Sequence, residues 1–216
     1  MRQEDNEMLT DIRRRLKAPA DDGPKQKATP VLRRLGLLLA GSSWQTRGFA
    51  ALAAGLIVGA GIRFLDPGVV VVVAVYIVVL VICAATDLAW YRVPNVITYP
   101  AIILAFLAGS FMPDGDLLRT LGGAGTAAGF MLLALIISRG AMGLGDVKLA
   151  LFSGLAVGWP LVGDMLVLMA LTGGVVAVIL LLTRVKGRRD PIPYAPFISA
   201  ATIAVIFWQG TSFTRF

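Results

Sequence analysis

The chain has 216 residues, 57% hydrophobic and only 15% charged, with mean hydropathy +0.79 and a formal net charge of +7. A water-soluble fold has nowhere to hide that much apolar surface, so composition excludes an ordinary soluble domain. The chain has no histidine and a single cysteine, Cys83. This excludes Ser-His and Cys-His catalysis, histidine zinc sites and disulfides, and leaves carboxylates as the obvious general acids and bases.

Residues 1–46 read as a charged tail, broken by ADDGPKQKATP, in which VLRRLGLLLAGSSW forms a short amphipathic segment lying on the membrane surface. The first long apolar run begins only near residue 48, so no signal peptide opens the chain and the tail stays on the side where it is made. Residues 47–216 read as one transmembrane domain. Spans are expected near 48–65, 68–86, 96–112, 120–138, 147–159, 161–183 and 193–209, most of them close to the roughly 20 residues needed to cross a hydrocarbon core. The fifth is the exception: its roughly 13 residues rise only about 20 Å. It is expected to be tilted, sunk within the bundle or a partial span. The fold class is therefore all-α, a polytopic bundle of six or seven spans with a basic cytoplasmic N-terminal tail and no repeat of 20–50 residues.

The distribution of charge tests this parse. With the tail inside, nine of the 20 basic residues lie in it and a tenth, Arg47, directly after it, and seven lie in inner loops: Arg92, Arg139, Lys148, Arg184, Lys186, Arg188 and Arg189. Only Arg63, Arg119 and Arg215 fall outside. Positive charge thus accumulates on the cytoplasmic side, as it does in membrane proteins generally, and the net charge reads as a topology signal rather than a nucleic-acid surface.

Most of the 13 acidic residues lie in the tail or in loops, but Asp87, Asp146 and Asp164 touch apolar runs, where an ionisable group is costly enough to point to function. Asp164, beside Gly163 at the outer ends, reads as an interfacial turn acid. Asp87 ends the second span and Asp146 begins the fifth, both at the cytoplasmic boundary, so the two form a candidate pair. Each has a simpler explanation. Asp146 follows Gly145 and precedes a helical run, the place of an N-cap, while Asp87 at a helix C-terminus opposes the dipole and would need a loop partner such as Arg92. As a pair, two carboxylates held close and partly desolvated repel when both are ionised and tend to share one proton. The ionised member can then draw a proton from water while the protonated one polarises a scissile carbonyl. Gly143 and Gly145 would allow unusual backbone angles or a close approach to the acid. Together with Gly140 they imply a loop mobile enough for the carboxylates to meet only on closure.

These residues resemble a known family. MGLGDVKLALFSG (142–154) looks like the GxGD motif of the type IV prepilin peptidases, which are membrane aspartyl proteases. TDLAWYRVPNVIT (86–98) is similar to the family's first aspartate motif, an Asp followed several residues later by Pro-Asn, and IPYAPFISA (192–200) resembles its last, proline-bearing motif, with Ala195 where glycine is common. The likeness covers roughly 48–209. It implies Asp87 and Asp146 as catalytic residues, supported by the motif positions Gly143, Gly145, Lys148, Pro94 and Asn95, with no metal and no cofactor. The implied partner is a pilin-like precursor whose short basic leader is cut from a hydrophobic helix after a small residue, at the cytoplasmic face of the bacterial inner membrane. Proteins of pilus or secretion assembly and the lipid bilayer are further partners; nucleic acid is not. One cysteine cannot supply the paired CxxC motifs of the larger bifunctional members. The resemblance is thus to the compact Tad/Flp-type peptidases, and it leaves methyl transfer to the new N-terminus open. The alternative is an ion- or proton-coupled transporter, since paired acids and glycine-interrupted helices also build ion pathways, usually near the midplane and within an inverted repeat.

Overall fold

The computed structural model describes residues 44–138, 142–183 and 193–214, and among these it contains seven helices and no strand. In chain order they are α1 (Trp44–Arg63), α2 (Pro67–Trp90), α3 (Asn95–Phe111), α4 (Leu117–Ile137), α5 (Leu144–Val157), α6 (Val162–Leu182) and α7 (Ala195–Gln209). Each falls on one of the seven expected segments. Three of them, α2, α4 and α6, are long and apolar enough to cross a membrane. α3 and α7 are equally apolar but only 17 and 15 residues long. α1 starts at Trp44, inside the stretch assigned to the tail. The tail up to residue 43, most of its amphipathic segment and Gly140 lie outside the described residues.

The turns that lead into α2 and α4, at one end of the bundle, each have a local cause. Asp66 stands just before α2, and its Oδ1 accepts from the N–H groups of Gly68 (2.7 Å) and Val69 (3.2 Å). Asp116 does the same for α4, accepting from Leu118 (2.9 Å) and Arg119 (3.2 Å). Both satisfy helix N–H groups that have no partner within the helix. At this same end Asp164, in the first turn of α6, accepts from Gln209 Nε2 at 2.8 Å, which ties the start of α6 to the end of α7.

The helices turn their apolar side chains outward as well as inward. Val58, Ile62, Ile103, Leu133, Ile136 and Leu171 are each at least half exposed, the pattern of a bundle solvated by lipid rather than water. The tightly buried element is the shortest one. α5 has 14 residues, and Leu149, Ala150, Phe152, Ser153, Gly154, Leu155, Ala156 and Val157 are all buried. It packs against α3, α4, α6 and α7. Of the three expectations for this segment, the one of a helix sunk within the bundle describes it.

The α4–α5 contact is the most extensive in the bundle, and small residues make it possible. A methyl added to Gly123 would run into the carbonyl oxygen of Gly154 and the backbone of Gly158; one added to Gly154 would run into the carbonyl oxygen of Gly123 and the Cβ of Ala127. Without a strong hydrophobic drive between helices in lipid, such close backbone approach is what holds membrane helices together. Gly154→Ala should therefore destabilise the bundle by about 1–3 kcal/mol through overpacking, measured as a lower thermal unfolding midpoint in detergent. Gly125→Ala, on the same α4 but facing open space, should leave the midpoint unchanged or raise it, because alanine is the better helix former.

Candidate active site

Two helix ends build the site. α2 carries Asp87 in its last turn and continues to Trp90, one turn beyond the expected span end. Tyr91 then takes a left-handed conformation (φ 52°, ψ 41°), and its N–H donates to the Asp87 carbonyl oxygen at 2.8 Å. A tyrosine in that region costs about 1 kcal/mol, and the bend directs Arg92, Val93 and Pro94 across the end of the bundle into α3. Pro94 precedes α3, and its carbonyl oxygen accepts from Ile97 N–H, Thr98 N–H and Thr98 Oγ1.

α5 supplies the second acid. Its N-cap is Gly143, which places Asp146 at the third helical position rather than at the cap itself. The Asp146 N–H donates to the Gly143 carbonyl oxygen at 3.2 Å, and its carboxylate lies back toward Gly143. Asp146 thus profits from the helix dipole without serving as the N-cap that its sequence context allowed. Neither glycine needs an unusual backbone: Gly143 has φ −90° and ψ 149°, and Gly145 is helical. The other reason for glycine, close approach, does hold at position 145. A methyl there would stand 3.1 Å from Val93 Cβ, so the missing side chain lets α5 press against the α2–α3 loop.

Asp87 and Asp146 are buried, with 5% and 8% of their surface left, yet both line one cavity of about 380 Å³ that opens at this end of the bundle. Tyr91, Arg92, Val93, Asn95, Gly143, Leu144, Gly145 and Lys148 complete its wall. Among the described residues no hydrogen bond joins the two carboxylates. Asp87 Oδ2 instead accepts from the backbone N–H of Ala195, the first residue of α7, at 3.0 Å. The simpler explanation of Asp87, a loop partner such as Arg92, does not describe it: among the described residues no ion pair joins Asp87 to that guanidinium. A carboxylate at the C-terminal end of one helix is thus held by the N-terminal end of another, where unpaired N–H groups and the dipole favour an anion.

Lys148 connects the remaining motif positions. Its Nζ donates to Asn95 Oδ1 at 3.2 Å and to Tyr99 Oη at 2.8 Å, and it lies 4.7 Å from the centre of the Tyr99 ring. The structure therefore brings together all seven residues singled out from the sequence, six of them on the cavity wall and Pro94 at the start of α3. Three contributors escaped sequence reasoning: the Ala195 N–H, Val93 and Tyr99. Tyr99 was findable, because it follows Asn95 by four residues and so shares its helix face. Ala195 lay within the proline-bearing motif at 192–200, but nothing in that motif pointed to its N–H as a partner of Asp87.

A family model described as the type IV leader peptidase family matches residues 74–182, just over half of the chain. The prepilin leader peptidase/N-methyltransferase of Bacillus subtilis (strain 168) is 33% identical over 173 residues, covering 74% of this chain and 64% of that protein. The protein of the same name from Legionella pneumophila is 31% identical over 77 residues, covering 36% of this chain and 27% of its own length. The chain thus spans less than two thirds of the length of the curated relatives it matches. No solved structure matches it. The family match runs from within α2 to the end of α6, so it includes both aspartates and Lys148 but stops short of Ala195.

The Gly145–Val93 contact makes a local prediction. Gly145→Ala should displace the Val93 segment and destabilise the protein by about 1 kcal/mol, read as a lower unfolding midpoint in detergent. Adding Val93→Ala should recover most of that loss, and a double variant no better than Gly145→Ala alone would show that the loop is not what the glycine accommodates.

Proposed function

The chain belongs to the type IV leader peptidase family, and from that premise we propose that it is a membrane aspartyl endopeptidase. Its substrates are pilin-like precursors of the Flp/Tad type, from which it removes a short basic leader at the cytoplasmic face of the inner membrane. Asp87 and Asp146 are its catalytic residues. The observation that supports this reading best is geometric: two carboxylates from different helices line one cavity at one end of the bundle.

The mechanism follows from the pair. With one proton shared between them, the ionised carboxylate accepts a proton from a water molecule as its oxygen attacks the scissile carbonyl carbon. The protonated carboxyl donates to the carbonyl oxygen, giving a neutral tetrahedral diol in which neither carboxylate is bonded to substrate. Proton transfer to the amide nitrogen then breaks the C–N bond, releasing the leader's new carboxyl end and the mature chain's new amino end. A precursor whose apolar helix sits in the bilayer presents its leader junction at the depth of a helix terminus. Insertion thereby supplies much of the proximity the reaction needs. The cytoplasmic orientation draws on the excess of Lys and Arg in the loops at this end. The proposal covers leader cleavage and does not extend to methyl transfer. A transporter would use the same acids, but these stand in the last turn of α2 and the first turn of α5 rather than midway along a helix.

Asp87→Asn and Asp146→Asn should each slow leader removal from a co-expressed Flp-type precursor by at least about a hundredfold, the scale of lost acid–base catalysis. The readout is a gel shift, with membrane insertion of each variant verified. Cleavage at the native rate by either inserted variant would falsify the pair.

A further inference from the structure

The cavity wall carries a cation that its neighbours orient but do not neutralise. Both acceptors bound by Lys148 Nζ, Asn95 Oδ1 and Tyr99 Oη, are uncharged, and among the described residues no carboxylate pairs with it. Asp146 is two positions earlier on the same helix, and residues so spaced do not face each other. An ammonium has three N–H donors and no acceptor. Two are used on the α3 side, and the side chain lines the same cavity as the two carboxylates. The Tyr99 ring 4.7 Å away further narrows where the ammonium can sit. A flexible lysine has thus been restrained in advance, which lowers the entropy lost when it makes one more bond.

What that third donor meets follows from the substrate class, so the inference rests on the peptidase reading. A leader that is basic overall gives a lysine little to attract it by net charge. The acceptors that every such peptide must bring are its backbone carbonyls, and these lose water on entering a cavity walled by helix ends. We propose that Lys148 is a substrate-binding residue, donating to a backbone carbonyl beside the scissile bond and so fixing the peptide's register against Asp87 and Asp146. Asn95 and Tyr99 are positioning residues that act through Lys148.

The test uses the full chain in detergent and a fluorescent peptide spanning a leader junction. Binding is measured in the Asp87→Asn background, where turnover cannot interfere. Adding Lys148→Met should weaken binding about tenfold and Tyr99→Phe by less. Lys148→Arg should recover part of the loss, and the unfolding midpoint should not move. In the otherwise native chain, Lys148→Met should raise KM with kcat nearly unchanged, the signature of lost ground-state binding. Replacing the amides beside the cleavage point by esters, one at a time, weakens each carbonyl as an acceptor in turn. At the right position the Lys148→Met penalty should shrink. Unchanged affinity in Lys148→Met, a fall in kcat alone, or a penalty that no ester alters would each overturn the assignment, as would a peptide that fails to bind at all. If the peptide binds in a Lys148-dependent way but the native chain never cuts it, the peptidase reading fails and the binding role survives.

Discussion

Hydrocarbon offers a carboxylate nothing to bond to, and the whole arrangement answers to that fact. A helix satisfies its own backbone, so the interior of each span is closed to outside partners, and only the helix ends leave N–H and C=O groups free. Most acids in the described helices and the turns between them are placed accordingly. Asp66 and Asp116 spend their charge on the N–H groups of α2 and α4, and Asp164 takes a side-chain amide from α7. These are uses that any acid at a helix start can find. Asp87 and Asp146 stand apart because they share a cavity.

That sharing depends on α5 being short and central. A helix of 14 residues rises only about 21 Å, too little to cross the hydrocarbon without help, and α5 is instead wrapped by its neighbours. The backbone contact of Gly123 with Gly154 lets α4 approach at the last turn of α5, and the bare Cα of Gly145 lets the α2–α3 loop approach at its start. Larger residues at these positions would push α5 outward and carry Asp146 away from the end of α2. The glycine content of the chain is thus a packing instruction.

Apolar run length and loop charge made the helices legible in the sequence. All seven fell within a few residues of their expected places because each run is bounded by a proline, a glycine or a charged turn. The pairing of Asp87 with Asp146 was also legible, since the parity of the spans places the end of the second beside the start of the fifth. Three things were not. Periodicity says nothing about which backbone N–H will meet a carboxylate across the bundle, so the contact between Ala195 and Asp87 could not be derived. The extra turn after Asp87 depends on Tyr91 adopting a left-handed conformation, which no tyrosine advertises. Glycine in GLGD could serve backbone freedom or close approach, and only the position of Val93 decides for the second.

Two carboxylates that repel each other cannot supply the force that brings them together. Asp87 is anchored to α7 through the Ala195 N–H, and Asp146 is anchored within α5 through the turn that starts at Gly143. The separation of the pair is then set elsewhere, by the links between the elements that carry them. α2 is tied to α7 by the hydrogen bond from Ser199 Oγ to the Leu80 carbonyl oxygen, and the start of α5 is seated against the α2–α3 loop where Gly145 meets Val93. The contacts between these elements thus hold the pair against the repulsion at its centre. This is why segments that bear no acid, the Pro-Asn turn and the start of α7, belong to the site as much as the aspartates do.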